Sequence, residues 1–355
     1  MDEANVGGAG VDDAAVEVRF DGQRYGFWQQ AEVRESVDDL VASVRLGLTR
    51  PGTGDSLGLG ANTVASVLVG GGLVSTVRPD AVRRQVGVDS HTVHVDARSL
   101  ARELVDCQYS LTLQGLKLGE VVKRICGVFK VPVRVDVDTA VVPSFSMQSE
   151  VPANALINAV RAANLLLYPL PDGGLVLTRP TEAAPVASLV YGVHIKRYNM
   201  VDEFKLRYSD YVVKSYDYAN NSALKGAAKD SGITFFRPMH IVADRHGHTL
   251  GGSGRRAELE RSRRLARAHR IELEVQGWRY LDASGERQPW AINTQVRVII
   301  PGEGVDGVFL VGERAFRFDD KGGSVTLLQV MHRDAFLGAA KKSVKRGAGV
   351  KGARK

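Results

Sequence analysis

One pattern recurs at a spacing of 35 residues in the middle of this chain: Val121, Ile125 and Val131 have counterparts at Leu156, Val160 and Leu166. In the first copy an alternating run, Tyr109–Leu113, precedes apolar residues at helical spacing (Val121, Val122, Ile125, Phe129). A second alternating run follows at Val131, Val133, Val135 and Val137. The second copy repeats this with Phe145 and Met147, then Leu156, Ile157, Val160 and Ala163. Leu165–Leu170 then leads through Pro171–Gly174 to Leu175–Thr178. A period of 2 marks a strand with one covered face, and a period near 3.6 marks a helix. The pattern therefore predicts a duplicated β-α-β unit. Two copies fall short of a solenoid, and such modules dock proteins or build scaffolds.

The regions on either side are β-like. Val16, Val18 and Phe20 alternate, Asp21-Gly22 supplies a turn, and Tyr25–Trp28 resumes. Val44, Leu46 and Leu48 alternate again before a long Pro/Gly/Ser loop, Arg50–Gly60. Val64–Val69, the glycines 70–72 and Leu73–Val77 form a hairpin pattern. In Thr92–Cys107 the period switches from 2 (Val93, Val95) to helical (Leu100, Leu104, Cys107), which puts a strand-to-helix junction at Ala97–Ser99. Pro180–Pro185 is a linker. Beyond it come strand-like stretches at Val193–Tyr198, Phe204–Tyr208 and Tyr211–Tyr216, a polar loop at Ala219–Gly232, and Phe235–Ala243 before a Gly/His-rich loop, Arg245–Gly254. Arg255–Arg270 reads as a helix with Glu258–Arg261 and Glu260–Arg264 in the favourable acid-first order. Strands are expected over Ile271–Trp278, Thr294–Ile300, Val308–Val311, Ala315–Phe318 and Val325–Val330, with a turn at Ser284–Glu286 and closure at Ala335-Phe336.

At 355 residues the chain is long enough for two or three domains. No apolar run is long enough to span a bilayer, and the acidic, Gly-rich residues 1–15 differ from a signal peptide, so synthesis and retention in a cytoplasm are expected. Cys107 and Cys126 suit a reduced compartment and fit no metal spacing. The net charge is +7, but the last fifteen residues hold seven Lys or Arg and no acid. The fold itself is close to neutral, and the basicity belongs to a flexible tail, 338–355.

No catalytic constellation stands out. His91 and His94 beside Cys107 suggest a Cys–His pair, yet Cys107 falls on the apolar helix stripe, where a cysteine behaves as a small inert hydrophobe. His240, His246 and His248 have no recognised ligand spacing. The glycines 70–72 are followed by a strand instead of the helix a phosphate loop needs. Asp12-Asp13, Asp38-Asp39 and Asp319-Asp320 sit in a leader or in turns, where solvated acids are expected. No catalytic, cofactor-binding or metal-ligating residue is assigned, no cofactor is expected, and an enzyme is not expected. The arginine helix reads as a solvated face laced by Glu–Arg pairs. The basic tail is a solubilising segment or a nucleic-acid contact, and seven phosphate contacts would give a log–log salt slope of about −6.

Several stretches together resemble the baseplate hub proteins of contractile-tailed phages, the family that includes the phage Mu hub and the late control gene D proteins. Tyr25–Trp28 followed by Val33–Ser36 is similar to the family's opening strand pair, and residues 97–107, ARSLARELVDC, to its GRS…DLVDCS stretch. FSMQSE…ALINAVRAAN…DGGLVLT (145–178) resembles the middle domain. FFRPMHIVAD, RRAELERSRRLARAHRIELEVQGW (255–278) and VFLVGERAFRFDDKGGSVTLLQVMHRDAF (308–336) resemble the closing half. The resemblance runs from about residue 16 to 337. Ala97 replaces the family's Gly and Gln108 a common Ser, substitutions a structural joint tolerates, and the basic C-terminus lies outside the shared pattern.

The resemblance implies a β-rich α+β fold and a homotrimeric ring. The first β-barrel-like domain would be 16–98 and the second 190–224 with 271–337. The α+β middle would be 99–189 with 225–270. It implies a structural hub that joins a sixfold tail tube to a threefold central spike and forms part of the DNA passage. The partners would be two further copies, the spike, the tube or tube-initiator protein and the wedge proteins, with transient contact with DNA or tape-measure protein in the channel. The location would be the virion tail baseplate, with host cytoplasm during assembly. Thr92–Cys107 is then the joint between the first barrel and the middle, with Arg98 and Asp106 fixing the corner. The alternative is a nucleic-acid-binding protein acting through the Arg255–Arg270 helix and the Lys/Arg-rich tail.

Overall fold

The computed structural model describes residues 16–26, 28–50, 58–88, 91–217, 222–242, 252–282, 284–320 and 322–336. The leader, most of the 50–60 loop, His246, His248 and the basic tail lie outside them.

The opening region runs β1 (Val16–Phe20), β2 (Gln23–Tyr25), β3 (Gln30–Ser36), β4 (Ser43–Arg50), β5 (Ala65–Val69), β6 (Gly72–Val86) and β7 (His91–Ser99). Asp21 and Gly22 both take positive φ in the β1–β2 turn, and Gly70 and Gly71 do so between β5 and β6, so both expected hairpins form. The middle region contains α1 (Glu103–Asp106), β8 (Tyr109–Lys117), α2 (Leu118–Val128), β9 (Val133–Val135), β10 (Val141–Glu150), α3 (Pro152–Ala162), β11 (Leu166–Pro169) and β12 (Leu175–Thr178). Then come β13 (Ala187–Val190), β14 (Ile195–Asp202), β15 (Asp210–Asp217), β16 (Ser222–Lys229), β17 (Pro238–Val242) and α4 (Gly252–Arg267). The closing region is β18 (His269–Gln276), β19 (Arg279–Leu281), β20 (Arg287–Pro289), β21 (Gln295–Ile300), β22 (Val305–Asp319) and β23 (Gly323–Met331).

The repeat is visible as structure. Residues 35 apart on the two helices, Leu118 and Ala153, Val121 and Leu156, Ile125 and Val160, are all buried in one core. The first strands of the two copies, β8 and β10, pair antiparallel. Their last strands flank β12, with β9 parallel to it and β11 antiparallel, so β9 and β11 also run in opposite directions.

Both β regions belong to one hydrogen-bonded path, β14-β18-β23-β22-β3-β4-β7-β6-β5-β1-β2, with β21 on β22 and β13 on β21. The regions meet at β3 and β22, where Val33 faces Phe316, Glu35 faces Arg314 and Glu32 faces Arg317. A single apolar cluster holds residues from each side, among them Val33, Val44 and Val95 with Leu273, Phe316 and Val330. Separately, β15, β16 and β17 form a small sheet against α4 around Tyr211, Val213, Ala228 and Ala257.

Five expectations are corrected. Phe204–Leu206 is a 3-10 turn instead of a strand, which swings Arg207 onto Asp230. Most of the Ala219–Gly232 stretch is β16, paired with β15 along its whole length. The sequence SALKGAAK lacks β-branched residues, but Gly226 lets the start of α4 approach so closely that a Cβ there would lie 2.1 Å from Gly254 N. The arginine helix spans Gly252–Arg267, because His269 and Arg270 already pair with β14 as part of β18. Val308–Val311 and Ala315–Phe318 belong to one strand, β22, bulged between Val311 and Glu313. Finally, the helix after β7 is only a 3-10 turn followed by the four-residue α1. Cys107 caps it in an extended conformation and is partly exposed, so it is not on a buried stripe.

Candidate functional site

The corner at the end of β7 is built from arginines and acids. Arg98 donates to both carboxylate oxygens of Asp106, at 3.0 and 2.5 Å, and also to Asp80 on β6. Arg102 reaches the same Asp80, at 2.8 Å, and the carbonyl of Pro79, also at 2.8 Å. Hydrogen bonding to Arg98 lowers the Asp106 pKa, and bonding to Asp106 and Asp80 raises that of Arg98. Asp80 was not singled out in the sequence; it follows Pro79 at a bulge in β6 and gives no periodic signal. The reactive types nearby do not converge. His94 is exposed on β7, and Cys107 lies beside Glu103, 3.8 Å from Sγ to Oε2. Burial and the Glu103 carboxylate both raise the Cys107 thiol pKa, the opposite of an activated nucleophile.

The arginines of α4 turn inward as well as outward. Glu258–Arg261 and Glu260–Arg264 form as expected, at 2.9 and 2.7 Å. Arg267, however, donates to Asp38 Oδ1 at 2.6 Å, and Arg161 on α3 reaches the same oxygen at 3.2 Å. Asp38 therefore clips the turn after β3 to both helices and is not a freely solvated acid. Arg263 donates to the Arg161 carbonyl at 2.8 Å and to Asn164 Oδ1 at 3.1 Å. The helix is a suture between regions more than a solvated face.

Across the long sheet, alternation sends one set of side chains into the core and the other onto a single polar face. Cross-strand ion pairs cover this face: Arg197–Glu274 (2.5 Å), Arg34–Glu313 (2.8 Å), Arg317–Glu32 (2.7 Å), Arg45–Glu32 (3.6 Å), and Arg83 with Asp96. The acids lie low and the guanidiniums stand over them. Glu274 and Glu32 are 18% and 21% exposed, whereas Arg197 and Arg45 are 79% and 71% exposed. Two open grooves, of about 520 and 380 Å3, run along it. The face crosses the β3–β22 seam, beneath which Arg314 and Glu35 form a buried pair at 2.5 Å. Arg314 also donates to the Trp290 carbonyl and stacks on Phe316, 4.2 Å from the ring centre. Burial pushes the Glu35 carboxyl upward and the Arg314 guanidinium downward. The Arg34, Arg45, Glu32 and Glu313 side chains carry no sequence motif; the opposing-strand register alone assembles them.

Two family models match. Residues 101–179, the duplicated unit, match the second domain of baseplate hub protein gp44-like, and residues 250–339, α4 with the closing strands, match the fourth domain of the Mu phage baseplate assembly protein GpP. Both regions are thus similar to domains of Mu-type baseplate proteins. It is 29% identical to baseplate hub protein gp44 of Escherichia phage Mu over 342 residues, covering 91% of this chain and 89% of that protein. Its fold is also that of the 43 kDa tail protein of prophage MuSo2 from Shewanella oneidensis. That match has a TM-score of 0.80 and 24% identity, covering 91% of this chain and 99% of that one. A tail protein from Neisseria meningitidis gives a TM-score of 0.79 at 21% identity, covering 91% and 98%. Asp38 ties the two matched regions together through Arg161 of the first and Arg267 of the second. Among the described residues no helix is long and apolar enough to cross a membrane, and no group of three His, Cys, Asp or Glu is placed to hold a metal ion.

Proposed function

We propose that the chain forms a homotrimeric ring in the baseplate of a contractile tail, joining a sixfold tube to a threefold spike. The observation that carries this reading is the edge-to-edge fusion of two β-rich regions into one sheet with one continuous charge-paired face. Three such chains present six β units about one axis, which is the match a threefold body needs to meet a sixfold tube. The two barrel-like domains are 16–98 and 190–224 with 271–337, held by the middle, 99–189 with 225–270. Subunit interfaces in such a ring are obligate and bury upwards of about 2,000 Å2.

The polar face suits the wall of the bore. Each guanidinium there stands over a carboxylate, so passing DNA meets little net charge and phosphates are not gripped. The spike, the tube or its initiator, and wedge proteins are the partners, and the tail baseplate of the virion is the location. Nothing in the arrangement of α4 favours the nucleic-acid reading, because Arg267 is paired with Asp38 and Arg264 with Glu260. Light scattering on the eluting protein tests the proposal. A particle of three times the 38.4 kDa chain mass, seen as a threefold ring in negative stain, is expected. A monomer whose tight, salt-steep DNA binding disappears when 341–355 are deleted would overturn it.

A further inference from the structure

The α4 arginines are not all matched by acids. Between α3 and α4 lies a cleft of about 550 Å3, bordered by five arginines and three carboxylates. Arg161 and Arg267 share Asp38, and Arg264 is held by Glu260. Arg263, half-buried in the cleft, hydrogen-bonds among the described residues to the neutral oxygens of Arg161 and Asn164. Burial draws its pKa down to about 10, reinforced by Arg267, Arg161 and Arg256 and opposed by Glu260. Arg256, about two turns earlier on the same helix, makes no ion pair among the described residues. The third carboxylate, Glu150, lies exposed at the rim. The α3 wall is kept low by Ala155 and Ala159, and Leu206 and the 82%-exposed Val242 add an apolar margin.

We propose that this cleft is a docking site for an acidic, partly apolar polypeptide segment from a neighbouring subunit of the assembly, with its carboxylates taken by Arg263 and Arg256 and its apolar side chains covered by Leu206 and Val242. Guanidinium and carboxylate match as planar bidentate partners, and a half-buried cation facing neutral oxygens gains most from such a pair. The cleft excludes a duplex. A backbone with one charge per about 1.7 Å would run against Asp38, Glu150 and Glu260. An apolar margin is of no use to a phosphate and suits a peptide.

The test uses the full chain alone, so its outcome is independent of whether the ring forms. A fluorescein-labelled hexapeptide of alternating leucine and glutamate is titrated by anisotropy, beside the same peptide with glutamine for glutamate and an oligothymidylate. We expect the glutamate peptide to bind at least tenfold more tightly than the glutamine peptide. Arg256→Glu should weaken it at least tenfold with an unchanged melting temperature, and Arg256→Lys should restore most of the binding. Because Arg263→Met could unfold the suture, Arg256 carries the decision. Equal binding of the two peptides, no binding of the glutamate peptide at millimolar concentration, or no effect of Arg256→Glu would overturn the proposal. So would an oligothymidylate that binds more tightly and is lost with the same substitution.

Discussion

Arg98 shows how much one side chain can hold together when three elements meet. It bridges Asp80 on β6 and Asp106 on α1 from the end of β7, and it is 29% exposed. Charge-assisted bonds of this kind contribute about 1.5–3 kcal/mol when sheltered, and solvent screening reduces that here. Arg98→Ala should therefore cost about 1–2 kcal/mol in urea unfolding at pH 7 and weaken assembly. The acid dependence has a definite sign. Arg98 holds the Asp106 pKa below its unfolded value, so that stabilisation is fully present above about pH 4 and is lost as pH falls through the lower folded value. The gap between wild type and Arg98→Ala should narrow as pH falls below about 4; a gap that is constant with pH would show that the corner is held by packing alone. Arg98 and Asp106 are expected to fix this corner because the resemblance makes Thr92–Cys107 the joint between the first β region and the middle. Asp80 and Asp38 were invisible as partners because their arginines are distant in sequence, 123 and 229 residues away in the case of Asp38.

At the level of elements, the β3–β22 pairing depends on a register that places Glu35 opposite Arg314 and Glu32 opposite Arg317. A slip by one residue would turn these charges to the wrong faces and bury the others. Removing one member of a buried pair leaves the other uncompensated, at a cost of about 3–5 kcal/mol. Arg314→Met should therefore destabilise by that amount, and adding Glu35→Leu should recover much of the loss. Chemical denaturation of the two variants checks this, and a double variant no better than the single would place the cost in the lost Trp290 carbonyl bond. Elements whose apolar residues alternate or recur every three to four positions were legible beforehand: β1, β4, β7, α2, α3, β18 and β23. Those missed take their structure from neighbours. β16 is a strand because β15 pairs with it and α4 lies on Gly226, and the 3-10 turn of the Phe204 stretch is followed by Arg207, held 2.8 Å from Asp230.

For the whole molecule, the decisive fact is that one apolar cluster serves both β regions. Two independent barrels could unfold separately; regions that share a core and a strand pair should not. Trp28 reports on the opening region and Trp278 and Trp290 on the closing one, all at most 6% exposed. Single-tryptophan variants should give coincident urea midpoints, and midpoints separated by more than experimental error would refute the shared core as a cooperative unit. The β-rich ends around an α+β middle could be read from the sequence. That the two ends join through β3 and β22 could not, because nothing in either strand announces a partner about 280 residues away.

The duplicated unit at the centre has a consequence of its own. Its two copies oppose each other, β8 against β10, with matching helix positions filling one interior and β9 and β11 running in opposite directions on either side of β12. That is the arrangement two separate polypeptides adopt about a twofold axis, here fused head to tail. A single copy, residues 109–137, therefore presents an uncovered apolar surface shaped for its own twin, and the middle of this chain is in effect a dimer that cannot dissociate.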